Sequence, residues 1–162
     1  MRVNFLDLKS QYLSIKDEVD EAIQDVMMSS AFAAGPFVKS FEDNFAKRHN
    51  TKYCVGVNSG TAALHAVLMA LDIKAGDEVI VPVNTFFATP EAVSLTGATP
   101  VFVDCEEKFY NIDPDKIENA ITKNTKAIIA VNLYGQPAKL NKIKKIADKH
   151  NLILIEDCAQ SH

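Results

Sequence analysis

Four short stretches carry residue types able to hold an anion, a flat ring and a cation. In Asn58-Ser59-Gly60-Thr61-Ala62-Ala63-Leu64 a polar turn runs directly into a helical pattern. A helix N-terminus presents unpaired N–H groups and the positive end of a dipole. Gly60 allows close approach of the backbone, and Ser59 and Thr61 add hydroxyls, so a phosphate fits. The alternative is plainer: Ser59 caps the helix and Gly60 is an ordinary turn residue. The stretch is neither G-x-G-x-x-G nor G-x-x-x-x-G-K-[ST], so dinucleotide and Walker fingerprints are absent. Pro82-Val83-Asn84-Thr85-Phe86-Phe87-Ala88-Thr89 offers two adjacent aromatics. One ring can lie against a planar ligand, or both can fill the core. Asn132-Leu133-Tyr134-Gly135-Gln136-Pro137 is a polar loop with a glycine turn, either lining a pocket or crossing the surface. Glu156-Asp157-Cys158-Ala159-Gln160-Ser161-His162 places two carboxylates after an apolar run. Charge at such a place needs a partner. One acid can bond a cationic ring nitrogen and Gln160 a neighbouring oxygen, or both acids are simply solvated. Cys158 with His162 as base is a nucleophile alternative, but residues four apart at a strand exit need not meet.

The elements that must position these residues follow from periodicity. Ile15, Val19, Ala22, Ile23 and Val26 repeat at a helical period through Gln11–Met28. Ser29–Pro36 reads as a loop, and Phe37, Phe41 and Phe45 mark a second helix to about His49. Strands are then expected at 53–57, 78–82, 99–103, 127–131 and 152–155. Helices are expected between them at 61–71, 90–96, 115–121 and 140–150. Five strands separated by helices indicate an α/β layer fold with a largely parallel sheet. Ala127-Ile128-Ile129-Ala130-Val131 lacks polar alternation, as strands covered on both faces do. Open sheets of this kind bind ligands beyond the carboxyl ends of their strands, and each of the four stretches above falls beside or beyond one.

Composition narrows the class without selecting a partner. The chain has 162 residues, 48% hydrophobic and 23% charged, which excludes extended disorder. A net charge of −4 gives no basic surface for nucleic acid. Three scattered cysteines, Cys54, Cys105 and Cys158, suit neither a disulfide scaffold nor a zinc site. An acidic residue at position 7 is too early for a secretory signal. The uncharged stretch 54–71 is interrupted by polar residues and is no membrane span. A soluble, cytoplasmic protein is expected.

A phosphate cradle, an aromatic plate and a carboxylate together suit a phosphorylated, planar, basic heterocycle, and pyridoxal 5′-phosphate has those features. Asp157 would keep its ring nitrogen protonated. The order of motifs also resembles one family. Gly35-Pro36, Phe41-Glu42, Asn58–Leu64, Asp77–Pro82, Thr85-Phe86, Ala88-Thr89, Gly97–Asp104, Tyr134-Gly135-Gln136 and Glu156–His162 follow the pattern of the DegT/DnrJ/StrS sugar aminotransferases. That resemblance implies the aspartate-aminotransferase fold (fold type I): an N-terminal helical segment over 1–52, then a partial cofactor-binding α/β large domain with a three-layer, mainly parallel sheet over 53–162.

It also implies that Ser59, Gly60 and Thr61 hold the phosphate, Phe86 stacks on the ring, Asp157 meets the ring nitrogen and Gln160 lies near the phenolic oxygen. The implied reaction moves an amino group from glutamate to a nucleotide-linked keto sugar, in a homodimer whose loop 29–37 reaches the partner's site. The family's Schiff-base lysine has no match here. Lys139, Lys142, Lys144 and Lys145 read as a solvated helix face. The chain is therefore expected to be the N-terminal portion of a longer enzyme, inactive alone. A sugar dehydratase of the same family and a non-catalytic ligand-binding domain are the alternatives.

Overall fold

The computed structural model describes residues 5–161; Met1–Asn4 and His162, the base of the nucleophile alternative, lie outside the described residues. Two compact units divide the chain, residues 1–56 and 57–162.

The described residues of the first unit form three helices. Asp7 caps α1 (Leu8–Ser14), its carboxylate accepting the Ser10 N–H at 3.0 Å and the Ser10 hydroxyl at 2.8 Å. Those bonds hold the Asp7 carboxyl below the usual carboxylate range. The single helix expected over 11–28 is broken at Ile15, where φ is −126° and ψ 14°. The Ser14 hydroxyl donates back to the Gln11 carbonyl at 2.7 Å, a local bond that competes with the helix ladder. Helix α2 (Lys16–Ser29) ends on Ser30 in the left-handed region. Gly35 and Pro36 belong to the first turn of α3 (Gly35–Arg48) rather than to the preceding loop. A proline there lacks only an N–H that would have had no helical acceptor. The Phe41 and Phe45 rings lie 5.4 Å apart between centroids, and Phe45 meets His49 at 4.3 Å.

The strand expected at 53–57 does not form. A strand exists through the hydrogen bonds of a neighbour, and apolar content alone does not supply one. Tyr53 and Val55 are exposed, and the Gly56 N–H is taken by the Glu42 carboxylate at 2.8 Å.

The second unit is a three-layer α/β arrangement. Its sheet has four parallel strands in the order β2-β1-β3-β4. They are β1 (Glu78–Pro82), β2 (Thr99–Val103), β3 (Thr125–Val131) and β4 (Ile153–Asp157). Helix α4 (Gly60–Ala70) precedes β1, α5 (Ala88–Leu95) joins β1 to β2, and α7 (Leu140–Lys149) joins β3 to β4. Between β2 and β3 the expected helix over 115–121 is a single α-turn, α6 (Pro114–Ile117), continued by a 3₁₀ turn. Pro100 sits in β2, at the sheet edge, where a missing N–H costs no ladder bond.

Alternation along β1 and β3 builds two cores. Val79, Val81, Ala127, Ile129 and Val131 pack with Leu64 and Leu68 of α4 and Ala92 and Val93 of α5. Ile80, Ile128 and Ala130 pack with Ile117 of α6 and Ile143 and Ala147 of α7. Because α5 and α7 cover opposite faces, the chain leaving β1 and the chain leaving β3 diverge. Adjacent strands whose connections part in this way open a crevice at their carboxyl ends.

Ile128 is fully buried at the centre of β3. Ile128→Ala is expected to lower stability by about 3 kcal/mol in urea unfolding. Lys144→Ala, on the exposed face of α7, is expected to stay within about 0.5 kcal/mol of the parent.

Candidate active site

The crevice holds a cavity of about 190 Å³. That is below the roughly 300–1,000 Å³ of a drug-sized site and suits a small planar group. Its walls come from the α4 N-terminus (Gly60, Thr61, Leu64), the chain leaving β1 (Phe86, Ala88, Thr89), the end of β3 (Val131, Leu133) and the end of β4 (Asp157, Ala159, Gln160). Five of the sequence-predicted residues, Gly60, Thr61, Phe86, Asp157 and Gln160, thus meet at one cavity.

Ser59 is not among its lining. Its hydroxyl accepts the Ala62 N–H at 3.1 Å, so Ser59 caps α4 and fixes the direction in which the first-turn N–H groups point. A Cβ placed on Gly60 would meet no atom within 4 Å. The space in front of the helix N-terminus is open, as an incoming anion requires.

Phe86 and Phe87 are both exposed, so neither fills the core. They part company: Phe86 lines the cavity, while Phe87 lines a wider apolar groove of about 630 Å³ with Val83, Leu95 and Phe102. The turn between them is held by buried Thr89, whose hydroxyl bonds that of Thr85 at 2.8 Å and whose N–H donates to the Phe86 carbonyl at 3.1 Å.

Strand β4 runs two residues further than expected, so Glu156 and Asp157 lie within it. That settles which acid can serve the cavity. Side chains alternate along a strand, so Asp157 shares the face of Ile155, which packs with Val131 and Leu133. Glu156 takes the other face and accepts from the Asn132 amide at 2.7 Å. One Asp157 oxygen accepts the Ala159 N–H at 3.0 Å. Gln160 Oε1 accepts the Tyr134 N–H at 2.6 Å, with Tyr134 itself in the left-handed region at φ 57°. Sequence reasoning gave no role to three buried residues here: Thr89 in the wall, and Asn111 and Asn132 behind it. The polar residue type in the first turn of a mainly apolar helix was the available signal for Thr89.

Burial pushes the Cys158 thiol above its ordinary value, opposed by its contact with Ser161. A thiol so raised is a poorer source of thiolate, which argues against the nucleophile alternative. Lys139 pairs with half-buried Glu106, while Lys142 with Asp115 at 3.5 Å and Lys144 with Asp148 pair on exposed surface. No lysine is among the described residues lining the cavity. Among the described residues no metal-holding cluster occurs, and no helix is long and apolar enough to cross a membrane.

A model of the DegT/DnrJ/EryC1/StrS aminotransferase family matches residues 13–162. The chain belongs to this family. The UDP-2-acetamido-2-deoxy-3-oxo-D-glucuronate aminotransferase of Pseudomonas aeruginosa is 48% identical over 159 residues, 98% of this chain and 44% of that protein. The crystal structure of DesV from S. venezuelae in complex with a ketimine intermediate superposes with a TM-score of 0.96 at 46% identity, covering 99% of this chain and 43% of that one. NtdA from Bacillus subtilis, with bound cofactor PMP, gives a TM-score of 0.94 at 36% identity, over 99% and 37% of the respective chains. The chain therefore spans less than half the length of these family members. Its four-stranded sheet is part of the fold type I large domain found in those neighbours.

Alkylation of Cys158 by iodoacetamide, followed site by site by mass spectrometry, is expected to become half-maximal above the roughly pH 8.5 of a free thiol. Reaction at neutral pH as fast as that of a free thiol would contradict the burial described.

Proposed function

We propose that this chain is the N-terminal part of a pyridoxal-phosphate-dependent aminotransferase that moves an amino group from glutamate to a nucleotide-linked keto sugar, in amino-sugar biosynthesis such as that of O-antigen or other polysaccharides. The observation that carries the reading is the convergence of Gly60, Thr61, Phe86, Asp157 and Gln160 on one cavity in a chain of this family. Residues 1–52 form its helical segment and 53–162 part of its cofactor-binding domain. The enzyme is a cytoplasmic homodimer in this reading, and the segment over 29–37 serves the partner's site.

The residues fit the cofactor group by group. Gly60 and Thr61 would hold the phosphate on first-turn N–H groups and the Thr61 hydroxyl, with Ser59 keeping the turn in place. Phe86 would cover one face of the ring. Asp157, set against Val131 and Leu133, would accept a hydrogen bond from the protonated ring nitrogen. With its oxygen engaged by Tyr134, Gln160 presents its NH₂ group, a donor suited to the ring oxygen. When bound, pyridoxal phosphate supplies an electrophilic carbonyl and a ring that withdraws electrons from the carbon bearing the amine. Asp157 would sustain that withdrawal by holding the proton at the ring nitrogen. Leu64, Val131 and Leu133 line the same space and would limit water around that ion pair, which would strengthen it.

The lysine of this chemistry comes, in this reading, from a segment other than the one described, and the 162 residues alone do not transaminate. Borohydride treatment of the full-length, cofactor-loaded protein is expected to fix the cofactor to a lysine, detected by mass spectrometry. Asp157→Asn is expected to lower kcat by about 100-fold or more without shifting the unfolding midpoint. Absence of the covalent adduct in the loaded protein would remove the aminotransferase reading.

A further inference from the structure

We infer that Asn132 is a positioning residue that grips the back of the β4-exit loop and thereby sets Asp157 and Gln160 at the cavity. Asn132 follows β3 and is 2% exposed. A buried amide is costly unless its donors and acceptor are all matched, and here they are. Its NH₂ group meets Glu156 Oε1 at 2.7 Å, Ser161 Oγ at 3.2 Å and Cys158 Sγ at 3.5 Å. Its oxygen accepts the Ala138 N–H at 2.9 Å, and its own N–H donates to the Asp157 carbonyl at 3.0 Å.

The pattern of these partners is informative. Asn132 takes the side chains of residues 156, 158 and 161, while residues 157, 159 and 160 line the cavity. Clamp and lining interleave along one stretch of chain. Fixing one set fixes the other, because the side chains of an extended or tightly turned segment cannot move independently of their shared backbone. Asn132 itself is not among the cavity's lining, so it acts through Asp157 and Gln160 and not on a ligand. An apolar residue of similar size would fill the same volume but would leave Glu156 and Ser161 without this common partner.

A second buried amide completes the support from the β3 side. Asn111, 1% exposed, accepts the Leu133 N–H at 3.1 Å and donates to the Gln136 carbonyl at 2.7 Å. It brackets the turn that holds Tyr134 at positive φ, and the Tyr134 N–H is what orients Gln160. The two asparagines thus tie three separate segments, around residues 111, 132–138 and 156–161, into one wall.

The role of Asn132 rests on the cofactor reading above, so its test includes a readout that needs no cofactor. The Asn132→Asp variant keeps shape and the acceptor for Ala138, but it removes the donors and sets a carboxylate against Glu156. In the full-length protein it is expected to speed amide hydrogen exchange of the 156–161 peptide at least about tenfold, measured without cofactor. It is also expected to weaken pyridoxal-phosphate binding, followed by cofactor absorbance, by a similar factor. Combining N132D with E156Q restores one donor facing one acceptor, and most of both effects should be regained. Glu156→Ala, at an exposed position that does not threaten folding, is expected to reproduce the loosened exchange should N132D alone fail to fold. Unchanged exchange in E156A, or parental exchange and cofactor affinity in N132D, would overturn the assignment. If the parent protein itself does not bind pyridoxal phosphate, the cofactor reading falls, and the exchange data alone decide whether the clamp exists.

Discussion

A parallel sheet covered on both faces has almost nowhere to put charge except at the ends of its strands. Strands β1 and β3 are buried nearly throughout, so their side chains are committed to packing with α4 and α5 on one face and α6 and α7 on the other. At the carboxyl edge, where those helices begin or the chain turns back, polar groups escape the core. The cavity is the place where that edge opens, because the connections out of β1 and β3 depart to opposite faces. Every feature of the candidate site depends on this divergence: the α4 N-terminus, the Phe86 turn and the end of β4 face one another across it.

The edge is not a loose collection of loops. Ser59 orients the α4 N-terminus, Thr85 and Thr89 bind the Phe86 turn, and the asparagines at 111 and 132 tie the β3 and β4 exits together. Each of these residues spends its polar atoms on the scaffold, leaving Asp157 and Gln160 with bonding capacity directed at the cavity. The ion pairs contribute little to this. Lys116 with Asp104, Lys149 with Glu118 and the pairs on α7 lie on exposed surface, where such contacts are weak and screened.

Much of this was legible in the residues. The strands at 78–82 and 99–103 are read correctly to the residue, since short apolar runs between turn signals have few other uses. The candidate residues that line the cavity were legible because polar and exposed aromatic types are chemically expensive at a sheet edge. The segment 53–57 was misread for a physical reason: its composition suits a strand, but pairing is a property of two segments and not of one. Asp157 was preferred to Glu156 in the sequence without a ground in local geometry, and the length of β4 supplies one by fixing which faces the two acids occupy. Asn111 and Asn132 read as ordinary loop residues, because a hydrogen-bonding role spanning more than twenty positions leaves no local pattern.

The divergence of Phe86 and Phe87 bears on how this stretch can change over evolution. Two identical side chains, adjacent in sequence, do different jobs only because one backbone step separates the cavity from the groove. Their identity is interchangeable, whereas their phase is not. Inserting or deleting a single residue between Thr85 and Ala88 would hand the cavity the wrong neighbour while leaving the composition almost untouched. Drift at these positions should therefore swap one aromatic for another more readily than it alters the length of the turn.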